Sequence, residues 1–154
     1  MTSRVIVAIR VGATPERAFH AFTTEIGRWW RPNPMFAFTP RSPGVLSFEP
    51  GEGGRLIETL PSGKVFEIGP VLAWEPPHRL AFGWRQARFE PGQDTRVEVR
   101  FEAVAGETRV TVEHQGWDSV PAEHPARHGF ADALFLRRHG EWWQALLSSY
   151  KASL

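Results

Sequence analysis

Two histidines have the positions to act as an acid–base pair or as polar anchors for a bound molecule. His114 follows Val110 and Val112 at alternate positions, so in a strand the three side chains face the same way. His139 falls on the apolar stripe of a predicted C-terminal helix. Histidine titrates near neutral pH, which suits proton transfer. The alternative is two structural histidines, each hydrogen-bonded separately inside the core.

One carboxylate, Glu58, is a second candidate for acid–base chemistry. It shares a strand face with Leu56 and Leu60. If that face points inward, Glu58 is a buried carboxylate and a candidate general base. If the opposite face of the strand points inward, Glu58 is an ordinary surface charge. The sequence leaves both alternatives open.

Aromatic residues are unusually abundant, with 7 Trp and 11 Phe but a single Tyr. So much ring surface requires a large core, a pocket or an interface. An aromatic-lined cavity would take an apolar or aromatic molecule, with one or two polar groups setting its orientation. The residues predicted to bind such a ligand are Trp30, Glu58, Phe82, Trp84, Val99, Val112, His114, Trp117, Phe135, His139, Trp142 and Trp143.

Several other chemistries lack the residues they need. The chain has no cysteine, which excludes disulfides and thiolate metal sites. His124 and His128 have a spacing that can hold a metal on a helix, but Pro121 and Pro125 favour a loop and no third ligand is suitably spaced. Residues 51–54 are glycine-rich but lack the lysine and the strand-to-helix context of a phosphate loop. The sequence predicts no metal, no cofactor and no serine nucleophile.

The overall composition is that of one globular domain. The 154 residues are 42% apolar and 23% charged, with a net charge of +1. This charge is too small to predict nucleic acid as a partner. No segment has the roughly 20 apolar residues of a membrane span, and the N-terminus has no signal-peptide core. The sequence therefore predicts a single domain over residues 1–154 in the cytoplasm.

The elements that must position these residues follow from periodicity. Residues 4–11 alternate between two faces, which predicts a strand. Thr14 and Pro15 predict the start of a short helix, and four prolines within residues 31–44 predict a loop. Between residues 45 and 117, turn residues recur every 8 to 20 positions, which predicts an antiparallel meander with one apolar face and one solvated face.

The C-terminal segment changes to a helical period. Its apolar stripe consists of Phe135, His139, Trp142, Leu146 and Tyr150. A helix over residues 131–152 would be about 30 Å long, enough to cross a whole sheet. The pattern predicts an α+β helix-grip fold, in which a curved antiparallel sheet wraps a long C-terminal helix; two short helices lie near the N-terminus of the chain.

Four stretches, together covering nearly the whole chain, resemble the SRPBCC superfamily of START-like (Bet v 1-like) proteins. The similar stretches are residues 13–19 with Trp29-Trp30-Arg31-Pro32, residues 53–55, residues 69–84 and residues 107–117. Within the superfamily, the chain is most similar to the branch named for the activator of Hsp90 ATPase (AHSA1-like). The order and spacing of the four stretches are specific for the fold.

The resemblance implies three possible functions. The first is binding of a small hydrophobic or aromatic ligand between the sheet and the C-terminal helix. The second is an enzyme similar to polyketide cyclases or hydratases, and the third is a protein-interaction domain similar to the Hsp90 activator. The chain resembles only the START-like portion of that activator, so Hsp90 is not the expected partner. A homodimer is compatible with all three.

Overall fold

A seven-stranded antiparallel sheet forms the larger part of the molecule in the computed structural model. The structure describes residues 4–30, 44–85, 90–120, 124 and 132–154. The strands are β1 (Arg4–Val11), β2 (Val45–Phe48), β3 (Arg55–Thr59), β4 (Val65–Glu75), β5 (Arg79–Trp84), β6 (Thr95–Val104) and β7 (Glu107–Gln115). They lie in the order β1-β7-β6-β5-β4-β3-β2, and the sheet is curled into a half-barrel. The predicted antiparallel meander is confirmed.

The described residues also form three helices and one 3₁₀ turn. They are α1 (Pro15–Thr23), α2 (Ile26–Trp29), α3 (Asp132–Ala152) and the 3₁₀ turn Trp117–Ser119. At the start of α1, the Thr14 side chain accepts a hydrogen bond from the backbone N–H of Arg17, and Pro15 occupies the first turn. This is the cap that the sequence predicts. Thr14 satisfies a backbone N–H that has no partner within the helix, and Pro15 has no N–H to satisfy.

The inner face of the sheet is apolar. The alternating positions predicted to face inward on β5, β6 and β7 are at most 2% exposed; they are Leu80, Phe82, Trp84, Val97, Val99, Phe101, Val110, Val112 and His114. The register aligns them in rows, such as Val7, Val112 and Val99 across β1, β7 and β6. The strand alternation therefore identifies the buried face correctly.

Helix α3 lies against this inner face and packs on β1. Its 21 residues make it about 30 Å long. The predicted stripe is buried from Phe135 to Tyr150, and Arg137, Arg138 and Glu141 on the other side are exposed. The helix-grip fold predicted from the sequence is confirmed.

The outer face of the sheet departs from the uniformly solvated surface that the alternation predicts. Ala81 on β5 and Glu98 on β6 are neighbours in the register, and they are only 2% and 8% exposed. The Glu98 carboxylate accepts a hydrogen bond from Arg79 Nε at 2.9 Å and also pairs with Arg100. The long arginine side chains cover the sheet while their charges pair with the carboxylate, which explains the burial.

The N-terminal helices close one end of the half-barrel. Phe22 of α1 is fully buried and its ring lies 5.4 Å from that of Tyr150. The Tyr150 hydroxyl donates to the carbonyl of Ala18 at 2.7 Å, and the Trp29 indole donates to Ala21 at 3.0 Å. These bonds satisfy buried polar atoms and join α1 and α2 to the end of α3. Residues 31–43, which hold most of the predicted proline-rich loop, lie outside the described residues.

A glycine in the middle of α3 provides a test of the helix packing. A Cβ added at Gly140 would lie 3.5 Å from Cγ1 of Val5, an ordinary van der Waals distance. We expect Gly140→Ala to raise the free energy of unfolding by about 0.5–1 kcal/mol, because alanine costs less backbone entropy in a helix. Thermal unfolding should show a midpoint about 2–4 °C higher. A lower midpoint would mean that β1 cannot accommodate the added methyl group.

Candidate functional site

Seven side chains predicted to bind a ligand form one buried group, which we call the aromatic cluster. They come from β5, β7, the 3₁₀ turn and α3, and each is at most 5% exposed; the members are Trp84, His114, Trp117, Phe135, His139, Trp142 and Trp143. Ring centroids of neighbours lie about 5–6 Å apart, as for Trp84 and Trp142 at 5.4 Å. These distances are typical of packed aromatic rings.

His114 is at the centre of the cluster, and its hydrogen bonds define its protonation. Trp143 Nε1 donates to His114 Nδ1 at 3.2 Å. An indole N–H can only donate, so Nδ1 is an acceptor and the proton of the neutral ring is on Nε2. Nε2 lies 2.8 Å from the Thr95 hydroxyl, and that hydroxyl donates to the Trp84 carbonyl at 2.9 Å. The chain of donors and acceptors is therefore consistent from end to end.

His139 completes this network from the helix side. Its Nε2 lies 2.8 Å from His114 Nδ1, and because Nδ1 is an acceptor, His139 Nε2 must donate. The His139 ring stacks on Phe135 at 5.6 Å with an interplanar angle of 11°. Burial lowers the pKa of His139 to about 3. Burial, together with the nearby His139, also holds the pKa of His114 well below its usual range. Both rings are neutral at physiological pH.

The two histidines thus converge, but not as a free acid–base pair. Both ring nitrogens of His114 are engaged, since Nδ1 accepts two hydrogen bonds and Nε2 donates one. The separate hydrogen bonding considered as the structural alternative is also wrong, because the rings bond directly to each other. The geometry is that of a structural network joining β6, β7 and α3.

Trp30 follows α2 and connects it to the aromatic cluster. It is half-buried, and its ring lies 5.8 Å from Trp84 and 5.7 Å from both Trp142 and Trp143. Trp30 is the last described residue before residues 31–43.

The other half of the sheet presents a second apolar surface, which we call the β2–β5 face. It consists of the inward side chains Leu46, Phe48, Leu56, Phe66, Ile68 and Phe82. The Phe48 and Phe82 rings lie 5.3 Å apart. Phe48 and Phe66 are only half-buried, although they belong to the inner side of the sheet. This face therefore holds apolar surface that the protein itself leaves partly uncovered.

Glu58 lies on the β2–β5 face, which decides between the two alternatives left open by the sequence. The register pairs it with Leu46 on one side and Phe66 on the other, and it is only 4% exposed. Its Oε2 accepts a hydrogen bond from the backbone N–H of Gly44 at 3.2 Å. Its Oε1 is buried, and no described residue donates to it. The face that Leu56 and Glu58 share points inward, and a charged group lies within an apolar surface.

Gly44 is required for this position of the carboxylate. A Cβ at Gly44 would lie 2.3 Å from the carbonyl oxygen of Thr59 and 2.8 Å from Cγ of Glu58. Real Cβ atoms do not approach backbone this closely, so any larger residue would displace the chain from β3. The backbone N–H that holds Oε2 is thus available only because residue 44 has no side chain.

Two residues predicted to bind a ligand belong to the hydrophobic core, and three residues near the site were not predicted from the sequence. Val99 and Val112 pair across β6 and β7 and are at most 1% exposed, so they are part of the hydrophobic core on the inner face of the sheet. Thr95 was missed, although it precedes Val97 and Val99 in the same alternation. Phe48 and Phe66 were missed as well, because β2 has only four residues and the burial alternation of β4 is interrupted by two consecutive buried residues.

Two cavities open on the surface of the described part of the chain. One, of about 380 Å³, lies between α1 and the turn after β4, where Phe19, Trp74 and Pro76 form part of its wall. The other, of about 350 Å³, lies beside β4 and β5 near Gly69, Gly83 and Trp84. His114, His139 and Glu58 line neither cavity, whereas Trp84 of the aromatic cluster and Ile68 of the β2–β5 face line the second.

The described residues include no group of three metal-binding side chains, and His128 lies outside them. Within the same ranges, no helix is long and apolar enough to cross a membrane.

The model of the family described as "Activator of Hsp90 ATPase homolog 1-like protein" matches residues 12–145. No curated protein matches the sequence significantly.

Several solved structures share the fold. Protein MLL2253 from Mesorhizobium loti is 19% identical, with a TM-score of 0.67 and coverage of 97% of this chain and 94% of that one. The Aha1 dimer from Colwellia psychrerythraea is 18% identical, with a TM-score of 0.67 and coverage of 98% and 95%. DynU16, from the dynemicin biosynthetic locus, is 18% identical with a TM-score of 0.68; the match covers 97% of this chain and 46% of DynU16. Identities this low establish the fold alone.

Proposed function

Because the chain belongs to the family of activator of Hsp90 ATPase homolog 1-like proteins, and because its sheet carries an incompletely covered apolar face, we propose that it binds a small apolar or aromatic molecule. The binding site is the β2–β5 face together with Trp30 and the adjoining part of the aromatic cluster. The ligand would lie between the sheet and the C-terminal helix, and would cover ring surface that the protein leaves exposed.

The observation that carries this proposal is the state of Phe48 and Phe66. Both belong to the inner side of a half-barrel, where Phe82 and Ile68 are fully buried. Phe48 and Phe66 themselves are only half-buried. Burying the remaining apolar surface under a ligand gains about 25 cal/mol for each Å² removed from water. The same face also contains one polar anchor, Glu58, as ligand sites usually do.

Fluorescence of a neutral apolar dye, N-phenyl-1-naphthylamine, tests the site directly. We expect the dye to bind with enhanced emission, and Phe66→Ala to weaken its binding by about fivefold, because about 1 kcal/mol of ring contact is lost. Val65→Ala is the matched control, since Val65 is the preceding residue on the opposite face of β4 and is 50% exposed. Equal affinity in both variants would place the dye elsewhere.

A thermal-shift screen then searches for the ligand itself. The panel contains sterols, fatty acids, flavonoids and other aromatic metabolites. A ligand present at about 100 times its Kd should add about 2.7 kcal/mol of stability, which raises the midpoint by about 5–10 °C in a domain of this size. Absence of dye binding together with absence of any shift would overturn the proposed function.

The enzyme alternative depends on one residue. Acid–base catalysis was predicted to need His114, His139 or Glu58, but the nitrogens of His114 are engaged within the network. His139 Nε2 is bonded to His114 as well. Glu58 is the candidate that lies on the proposed binding face, and its Oε1 lacks a donor among the described residues. If a ligand from the screen is converted to a product, Glu58→Gln should abolish that conversion. The protein-interaction alternative is supported by the family description alone.

A further inference from the structure

We propose that Glu58 makes the site selective for apolar molecules that carry a protonated amine, which pairs with the free oxygen of its carboxylate. This inference depends on the proposed function, because it concerns the same site. It adds the chemical class of the ligand: an aromatic or aliphatic body with one ammonium group.

The first step is the cost of the unpaired charge. An ionised carboxylate taken out of water is strongly unfavourable unless a cation or several donors compensate. The other deeply buried carboxylate that the structure describes, Glu98, has both Arg79 and Arg100 as partners. No ion pair among the described residues includes Glu58, and its contact there is a single backbone N–H. No described cation forms an ion pair with this carboxylate, although the Arg85 guanidinium lies over the neighbouring Phe66 ring.

The second step is the geometry of the carboxylate. Gly44 N–H holds Oε2, so the side chain is fixed while Oε1 remains an acceptor without a donor. The close approach at Gly44, where any Cβ would collide with β3, shows that this arrangement is built into the backbone. A buried carboxylate that is held through one oxygen and has no donor at the other is suited to accept one strong, charge-assisted hydrogen bond.

The third step is the surface around the carboxylate. Leu46 and Phe66 flank Glu58 in the register, and the rest of the β2–β5 face is apolar. An ammonium group supplies both the missing positive charge and the missing donor. The Phe66 ring beside Glu58 already carries one cation, since the Arg85 guanidinium lies over it at 5.8 Å from the ring centroid. A neutral alcohol could donate to Oε1 but would leave the charge uncompensated. An anionic ligand would be repelled.

The experiment measures displacement of N-phenyl-1-naphthylamine by matched pairs of amines and alcohols. The pairs are phenethylamine with 2-phenylethanol, tryptamine with indole-3-ethanol, and 2-(1-naphthyl)ethylamine with 2-(1-naphthyl)ethanol. Each pair has the same ring and differs at the terminal group, so the ratio of their affinities isolates the amine. The series varies ring size, so that one poorly fitting ring does not decide the result. All measurements are made at pH 7.5.

We expect at least one amine to bind at least about tenfold more tightly than its alcohol, which is the effect of a hydrogen bond to a charged group. Glu58→Gln should remove that preference while the dye still binds. Glu102→Gln, at an exposed position on β6, is the control and should retain it.

Two results overturn the inference and can be told apart. If the dye binds but no amine is preferred over its alcohol, or if the preference survives in Glu58→Gln, the apolar site stands and Glu58 is not its selective anchor. If the dye does not bind the wild-type protein at all, the proposed function fails and the inference fails with it.

Discussion

The free energy of unfolding should fall by about 4 kcal/mol when the pH is lowered from 7.5 to 5, because two buried histidines are held neutral in the fold. His114 and His139 are both fully buried and hydrogen-bonded to each other. Natural domains are stable by only about 5–15 kcal/mol, so this loss is a large fraction of the total. We expect the protein to be acid-sensitive well above the pH at which carboxylates protonate.

The loss of stability at low pH follows from the histidine pKa values in the folded and unfolded states. In the unfolded chain a histidine has a pKa near 6.5, whereas in the fold the pKa of His139 is about 3 and that of His114 is also strongly lowered. Below pH 6.5 the unfolded chain therefore binds two protons that the folded protein excludes. The stabilisation is fully present above pH 6.5 and declines as the pH falls toward 3, by about 1.4 kcal/mol per pH unit for each histidine.

Urea denaturation between pH 8 and 4.8 measures this effect, since carboxylates add little in that range. The slope of stability against pH should approach about 2.7 kcal/mol per unit in the wild type and about half of that in His139→Leu. The control is His20→Gln, because the His20 side chain is 56% exposed, and it should keep the steep slope. A flat profile from pH 6.5 to 5 would show that the histidines can take up protons within the fold.

The elements of this fold are predictable from the sequence because each depends on a local periodicity. Alternation on β5, β6 and β7 identifies the buried face, and the three-and-four spacing from Phe135 to Tyr150 identifies the buried stripe of α3. The buried outer face around Glu98 was not predicted. Its burial depends on Arg79 reaching across from β5, and cross-strand contacts of this kind have no local signal.

The site is less predictable because it depends on register and on hydrogen-bond direction. Alternation and helical spacing place His114 and His139 on facing surfaces. They cannot show that Trp143 donates to the same nitrogen as His139, which is what makes the pair structural. Glu58 illustrates the second limit. Moving β3 by one residue would turn Glu58 to solvent, and the bulge where β3 pairs with β4 is not visible in the sequence.

The Glu58→Gln variant should be more stable than the wild type in the absence of ligand, by about 1–3 kcal/mol at pH 7.5. The amide keeps an acceptor for the Gly44 N–H and removes a buried charge that has no cation among the described residues. Glu98→Gln is the matched control with the opposite expectation, because Glu98 is similarly buried but bonded to Arg79 and Arg100. Loss of that charge leaves two arginines without their partner.

The two variants together separate a functional carboxylate from a structural one. A polar binding residue that has no hydrogen-bond partner in the free protein lowers the stability of the fold and raises the affinity for a ligand that pairs with it. Its substitution should therefore raise stability and lower affinity. We therefore expect Glu58→Gln to show a midpoint of unfolding about 3–9 °C higher together with lost amine preference, and Glu98→Gln to show a lower midpoint with the preference intact. A lower midpoint in Glu58→Gln would mean that the carboxylate stabilises the fold, and its open oxygen would then need a structural explanation.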